Sequence, residues 1–323
     1  MQFLNSYRIS YIRIFINNKL VILICRFIIN FRLIFTLSFS NFSKEDIQKK
    51  WLEITLSSYN LVIATVITRN FSGWPFYFRD KIIHNLVPPE VKVLKIEFDY
   101  KLLSEMEKKS LNREKSGRTV HGIMCTELQN IIPEKSLCLL IDIDAYPLNK
   151  EAIMISFIAA KENGVFGNIQ GYGDHLYIGP SFMCFDNEKV KNIFGDKVWR
   201  INERSDMGGE ITWILPEVLD QDLFRPLKTI FKPFWRLDKL EKPSIGIGTT
   251  FGYKNKPMTY HHFYSRVWIS KVHFFFVSFI AYLKIKFKYI NRIKILDILK
   301  KMNFTIRHET KYGIKYIRNK LYE

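Results

Sequence analysis

The amino-acid sequence predicts an α/β fold built on a mixed, mainly parallel sheet flanked by helices. Apolar strand-like runs alternate with segments of helical spacing between residues 59 and 141, which is typical of a parallel sheet with crossover helices. The last of these runs, LCLLI at 137–141, is apolar at every position, as expected of a strand buried on both faces. The 323 residues suffice for a large core, as one α/β domain with appendages or two small domains.

The first part of the predicted domain alternates regularly between helices and strands. Ser43 is a candidate N-cap, and Pro88-Pro89 ends the second helix. Helical spacing predicts helices at 43–58, 75–86 and 101–131. Strands are predicted at 59–67, which is rich in β-branched residues, and at 91–98, where apolar residues alternate.

The later part of the domain is less regular. It is predicted to contain a helix at 150–162, a short strand at 164–170, an extended segment at 175–185 with a Gly-Pro turn in its middle, a short helix at 187–194 and an apolar helix from 211 that Pro216 kinks. Prolines and irregular spacing follow from residue 223 up to the histidine-containing run YHHFYSRVW.

Two aspartates, Asp142 and Asp144, follow the apolar strand and precede a Tyr-Pro turn. On extended backbone their side chains would project to one side, with Ile143 facing the interior. Two adjacent carboxylates favour a divalent cation such as Mg²⁺ or Mn²⁺, and open α/β sheets bind ligands at the carboxyl ends of their strands. We therefore predict a metal and diphosphate site here, rather than an Asp-rich structural turn.

The net charge of +18 is concentrated at the two ends of the chain. Residues 1–42 contribute +5 and residues 271–323 contribute +10, so the predicted domain at 43–270 is nearly neutral. Both ends mix Lys and Arg with large apolar side chains, which predicts basic amphipathic helical segments in contact with an anionic membrane surface. Nucleic-acid binding is the disfavoured alternative, because the apolar side chains are largely aliphatic; core-packing helices with solvated basic faces are a third.

The apolar run at 20–41 nearly reaches membrane-spanning length, but Arg26 and Arg32 interrupt it. We interpret it as a peripheral anchor rather than a signal peptide. The four cysteines show no zinc-ligand spacing and no dense disulfide frame, so a reducing cytoplasm is the simplest setting and core packing their expected role.

The chain resembles the GT-A type of nucleotide-sugar-dependent glycosyltransferases. The resemblance rests on Asp142-Ile143-Asp144 at a strand end, on YIGPSFMCFDNEKV, and on the late histidine segment, and it covers residues 59–268. It implies a GT-A-like, Rossmann-type sheet and transfer of a sugar from a UDP- or GDP-linked donor to a glycan or lipid-linked acceptor. Bacterial enzymes of capsule or lipopolysaccharide synthesis have this pattern, peripheral on the cytoplasmic face of the membrane.

The resemblance also implies individual roles. Asp142 and Asp144 would bind Mn²⁺ or Mg²⁺ on the donor diphosphate, Asp142 also lying near the ribose, and His262 or His261 would complete the metal shell. Imidazole suits Mn²⁺ better than Mg²⁺.

Further site residues are predicted from their local settings. If the enzyme inverts the anomeric centre, Asp206 and Glu210 are the candidates for the base that accepts the acceptor proton. Arg69, Arg118 and His121 could contact phosphate or base, and Gly179 would shape the pocket floor.

Two rival functions share the aspartate pair. A phosphatase of the haloacid dehalogenase type also ends a core strand in Asp-x-Asp, but Ala145-Tyr146-Pro147 departs from the continuation of that motif. A non-catalytic protein of the membrane surface is the other alternative.

Overall fold

The structure is a computed structural model. The structure describes residues 44–68, 73–98, 119–172, 175–195, 198–201, 207–214, 227–231, 248–253, 256–262, 268–289, 305–309 and 314–319. The N-terminal basic segment at 1–42 lies outside these residues, as do Arg69, Arg118 and Asp206.

The described helices and strands follow the predicted order through most of the domain. The helices are α1 Lys44–Thr55, α2 Tyr77–Leu86 after a short 3₁₀ helix Trp74–Phe76, α3 Val120–Ile131, α4 Lys150–Asn163, α5 Asn187–Phe194, α6 Glu210–Ile214 and α7 Trp268–Tyr289. The strands are β1 Asn60–Thr68, β2 Lys92–Phe98, β3 Ser136–Ile141, β4 Ala145–Pro147, β5 Val165–Tyr172, β6 His175–Asp186, β7 Lys228–Phe231, β8 Gly248–Tyr253, β9 Lys256–His262, β10 Thr305–Glu309 and β11 Ile314–Asn319.

The main sheet is mixed, with a parallel centre, so the predicted α/β class is confirmed. Its strand order is β10-β11-β2-β1-β3-β6-β5. Strands β2, β1 and β3 are parallel, whereas β6, β5 and the β10–β11 hairpin run antiparallel to their neighbours. The chain leaves β1 for β2 on one side and returns to β3 on the other, so the strand order reverses between β1 and β3. Such a reversal opens a crevice at the carboxyl ends of the two strands.

Two apolar cores cover the two faces of this sheet. Leu137, Leu139 and Ile141 of β3 belong to the core beneath α1, α2, α4 and α7. Cys138 and Leu140 face the other core, beneath α3, α5 and α6. The uninterrupted apolar run of β3 is explained by this alternation, because both of its faces are covered.

The predicted Gly-Pro turn within residues 175–185 is wrong, because β6 continues through Gly179 and Pro180. The irregularity lies instead in the neighbouring strand: the β5–β6 register shifts between Gly167 and Ile169. Pro180 precedes the segment of β6 that pairs with β3, which begins at Phe182. Proline has no backbone N–H to donate to a neighbouring strand. It is tolerated at this point because the pairing of β6 with its neighbours is interrupted there.

A second, smaller sheet of order β4-β9-β8-β7 stands beside the carboxyl end of β3. Strand β4 begins directly after the aspartates and pairs antiparallel with β9, which carries the two late histidines. This small sheet brings the end of the domain next to the end of β3.

Helix α7 belongs to the domain core, although most of it falls in the segment predicted to lie on a membrane. Phe274, Val277, Ala281 and Ile285 recur at helical spacing and are buried in the core beneath α1, α2 and α4. The core-packing alternative for the C-terminal region therefore applies to this helix. Further along, β10 and β11 form a hairpin on the edge of β2, where the sequence predicted amphipathic helix.

The prediction that the cysteines pack in the core is confirmed for Cys125, Cys138 and Cys184, which are free and buried. Burial raises the pKa of each thiol, so none is an activated nucleophile. Among the described helices, none has the length and apolar character that crossing a bilayer requires.

Candidate metal centre

The two aspartates lie on a tight turn between β3 and β4. The backbone N–H of Ala145 donates to the carbonyl of Asp142 at 3.1 Å, which closes the turn. The N–H of Asp142 donates to the carbonyl of Ser181 on β6, also at 3.1 Å. The aspartates were predicted to lie on extended backbone. That prediction is wrong, because β3 ends at Ile141, before the pair. A turn nevertheless keeps both carboxylates at the carboxyl end of the strand.

Asp142, Asp144 and His261 form a cluster able to hold a metal ion. One ligand atom from each of these residues lies within 4.8 Å of the others. His261 Nε2 is 3.6 Å from Asp144 Oδ1, and both side chains are 13% exposed. Two carboxylate oxygens and one imidazole nitrogen make a donor set that suits Mn²⁺. The predicted divalent cation site is supported by this geometry.

The pairing of β4 with β9 determines which histidine reaches the aspartates. Ala145 lies opposite His261, and the N–H of His262 donates to the carbonyl of Asp144 at 2.8 Å. Burial alone would lower the pKa of His261, but its contact with Asp144 and the charges of Asp144 and Asp142 outweigh it and raise that pKa.

The predicted ligand His262 does not join the cluster. Neighbouring residues of a strand face opposite sides, so His262 points into the core. It is fully buried, its Nδ1 lies 2.6 Å from the Tyr260 hydroxyl, and its ring centroid is 5.4 Å from that of Phe274. Burial lowers the pKa of His262 to about 3, so its ring is neutral. The metal-ligand assignment therefore moves to its neighbour, His261.

His121, predicted as a phosphate or base contact, lies beside the cluster. It stands in the first turn of α3, where the Thr119 hydroxyl accepts from the N–H of Gly122 and caps the helix. His121 Nε2 is 3.6 Å from Asp142 Oδ1, and its side chain is 29% exposed. A side chain on Gly122 would clash with the carbonyl of Trp199, so the glycine allows α3 to pack closely against the backbone there.

Arg79, a residue that the sequence interpretation missed, holds the aspartate turn through hydrogen bonds to its backbone. Its guanidinium donates to the carbonyls of Ile141, Asp142 and Ala145 at 3.0–3.1 Å and to the Thr65 hydroxyl at 2.6 Å. The side chain is 1% exposed. A signal was present in the sequence: Arg79 occupies the apolar stripe of α2, in helical spacing with Ile82, Ile83 and Leu86.

The positive charge of Arg79 is balanced within its own neighbourhood. Its Nη1 lies 3.0 Å from Asp80 Oδ1, and the other carboxylate oxygen of Asp80 contacts Lys95 Nζ. Burial acts to raise the pKa of Asp80, but the charges of Lys95 and Arg79 hold it below its usual value. With Asp142 and Asp144 included, these ionised side chains carry a formal charge of −1, so a dication would leave the centre positive.

Gly179 and Glu210 lie on elements near the centre, although not in the cluster. A side chain on Gly179 would overlap Gln170, whose Nε2 donates to the Ser181 hydroxyl at 2.8 Å. Helix α6, which Glu210 begins, is tied to β6 because the Thr212 hydroxyl accepts from the N–H of Ile178 at 2.8 Å.

Comparisons with protein-family models, with curated proteins and with solved structures gave no match.

Proposed function

We propose that this protein is a metal-dependent glycosyltransferase of the GT-A type. It would move a sugar from a UDP- or GDP-linked donor to a glycan or lipid-linked acceptor of a capsule or lipopolysaccharide, at the cytoplasmic face of the membrane. One observation carries the proposal: Asp142, Asp144 and His261 bring ligand atoms within 4.8 Å of one another beside the crevice where the strand order reverses. Open α/β sheets bind nucleotides at such crevices.

The charge of the centre supports a diphosphate as its substrate group. Asp142 and Asp144 together with Arg79, Asp80 and Lys95 sum to −1, and Mn²⁺ or Mg²⁺ would reverse that sign. When bound, the ion would supply Lewis acidity that stabilises negative charge on the departing nucleoside diphosphate. Asp142 and Asp144 would hold it together with His261.

The remaining residues have roles in binding and proton transfer under this proposal. His121, 3.6 Å from Asp142, would contact the donor. Arg79 holds the turn that carries both carboxylates. Glu210, with Asp206 as the alternative predicted from sequence, would accept the proton of the acceptor hydroxyl if the reaction inverts the anomeric centre.

The proposal is tested by thermal unfolding with a panel of nucleotide sugars, each with and without Mn²⁺ or Mg²⁺. A ligand that binds only the folded state adds about 2.7 kcal/mol of stability at roughly a hundred times its Kd. We expect one donor class to raise the Tm only when the metal is present. The Asp142→Asn/Asp144→Asn variant should lose this shift, whereas Glu162→Gln, at an exposed carboxylate near the end of α4 that is paired with Lys50, should keep it.

The metal preference gives a second readout of the same centre. Removing the imidazole with His261→Ala should weaken Mn²⁺ binding by roughly tenfold or more and Mg²⁺ binding less, because nitrogen ligands favour Mn²⁺. A wild-type protein that shows no metal-dependent shift with any nucleotide sugar would refute the proposal. Formation of a phosphoenzyme on Asp142 would instead identify the phosphatase alternative.

A further inference from the structure

Three exposed aromatic side chains cluster on the surface that the 3₁₀ helix, α2 and α7 form. Trp74 is 53% exposed, Tyr77 48% and Phe276 49%. In the described part of the chain, the other large apolar side chains with comparable exposure are aliphatic: Leu52, Leu56 and Ile193. We call Trp74, Tyr77 and Phe276 the aromatic patch.

Two half-buried rings join the members of the aromatic patch into one continuous surface. The ring centroid of Phe275 lies 5.1 Å from that of Trp74 and 5.7 Å from that of Phe276. Phe78 lies 5.1 Å from Tyr77 and 5.1 Å from Phe275. Exposed rings in mutual contact form an apolar surface, unlike single apolar residues scattered over a protein.

The elements that carry the aromatic patch are basic. Helix α7 contains four lysines and no acidic residue. On α2, Lys81 Nζ lies 5.3 Å from the centre of the Tyr77 ring. The acid of that helix, Asp80, is neutralised by Arg79 and Lys95. The patch is therefore an apolar surface carried by two basic elements, with Lys81 directly beside it.

We infer that the aromatic patch is the surface through which this protein contacts an anionic lipid bilayer. Tryptophan and tyrosine prefer the level of the lipid headgroups, and lysines beside them meet anionic headgroups. Pairing of this face with a second copy is disfavoured, because it would bring two basic surfaces together.

The position of the patch suits the proposed function, and the inference rests on the membrane association that forms part of it. Phe274, next to Phe275, packs against Tyr146 at 6.0 Å and His262 at 5.4 Å between ring centroids. Those residues directly follow Ala145 and His261 in the chain. Packed aromatic rings therefore connect the patch with residues that adjoin the metal centre, so the two lie in the same region of the domain.

The test is flotation with phosphatidylcholine vesicles that contain or lack phosphatidylglycerol. Substituting Trp74→Ser, Tyr77→Ser and Phe276→Ser together should weaken binding to the anionic vesicles by roughly tenfold or more, because three apolar contacts are lost. The matched control, Leu56→Ser with Ile193→Ser, removes equally exposed apolar side chains elsewhere and should change binding by less than about twofold. Unchanged thermal melting would show that each variant is folded.

Direct contact is measured by quenching of tryptophan fluorescence with brominated lipid. Of the six tryptophans, Trp74 should account for most of the quenching, so Trp74→Phe should remove most of it while keeping vesicle binding. Full binding by the triple variant would overturn the inference, as would a wild-type dimer that the same substitutions dissociate. A wild-type protein that binds no vesicle would refute membrane association as well. Metal-dependent nucleotide-sugar binding is measured without lipid, so it can succeed or fail separately.

Discussion

At the scale of single residues, a buried arginine positions the candidate metal centre. Arg79 contacts the carbonyls of Ile141, Asp142 and Ala145, so one side chain defines where the strand ends and the turn begins. A guanidinium is suited to this role because its donors are fixed in one plane and spread over several directions. The turn that carries the two carboxylates is thereby held through its backbone carbonyls.

Replacing Arg79 with lysine should therefore damage the centre although the charge is kept. Lysine cannot reach the same carbonyls together with Thr65, so we expect Arg79→Lys to lower the free energy of unfolding by roughly 1–3 kcal/mol and to weaken Mn²⁺ binding. Urea unfolding and metal titration measure the two effects. Lys50→Met, which breaks an exposed ion pair with Glu162, should cost less than about 1 kcal/mol. Unaltered metal affinity in Arg79→Lys would exclude a positioning role.

At the scale of secondary-structure elements, α7 shows how an apolar, basic helix can be part of a core. One stripe of the helix is buried in the same core as α2, and the opposite side includes the exposed Phe276. Deleting residues 271–323 would therefore remove core packing along with any lipid contact. Point substitutions on the exposed side separate these two effects.

Replacing a side chain with alanine should have very different effects on the two sides of α7. Phe274 is fully buried against Phe76, Tyr146 and His262, so Phe274→Ala should lower the free energy of unfolding by about 3–5 kcal/mol through loss of packing and creation of a cavity. Phe276→Ala, two positions away and half exposed, should cost less than about 1 kcal/mol. Equal losses in urea unfolding would contradict the assignment of the buried side.

At the scale of the whole molecule, stability depends on pH partly through histidines that are neutral when folded. His84 on α2 has its pKa lowered to about 4, mainly by burial. The charge of Asp80 acts to raise this pKa, whereas the charges of Lys95, Lys81 and Arg79 lower it further. In the unfolded chain a histidine titrates near 6.5. Between these two values the unfolded state binds the proton and the folded state does not, so stability falls as the pH falls from 6.5 to 4.

His84→Gln should remove this contribution. From the two pKa values, the wild type should lose about 2 kcal/mol more than the variant between pH 7 and pH 5. Urea unfolding of both proteins at the two pH values measures the difference, with Lys50→Met as a control that should keep the wild-type pH dependence. Parallel pH profiles for the wild type and His84→Gln would show that His84 titrates normally in the folded state.

The sequence by itself determined the α/β class, most element positions and the aspartate pair. These features depend on short-range patterns: the apolar run at 137–141 can be buried only as a strand covered on both faces, and Asp142 follows directly where that run ends. Strand and helix periodicity likewise extends over a few neighbouring residues, so it is readable without knowledge of the fold.

Only the tertiary structure decided which side chains complete the centre. His261 rather than His262 faces the aspartates because β9 pairs with β4 in one register, and a shift of one residue would exchange them. Arg79 and Ala145 are 66 residues apart in the chain, yet their contact shapes the turn. The burial of α7 similarly depends on α2, which lies far from it in sequence. Contacts between distant segments leave no periodic signal, since each depends on how the elements pack.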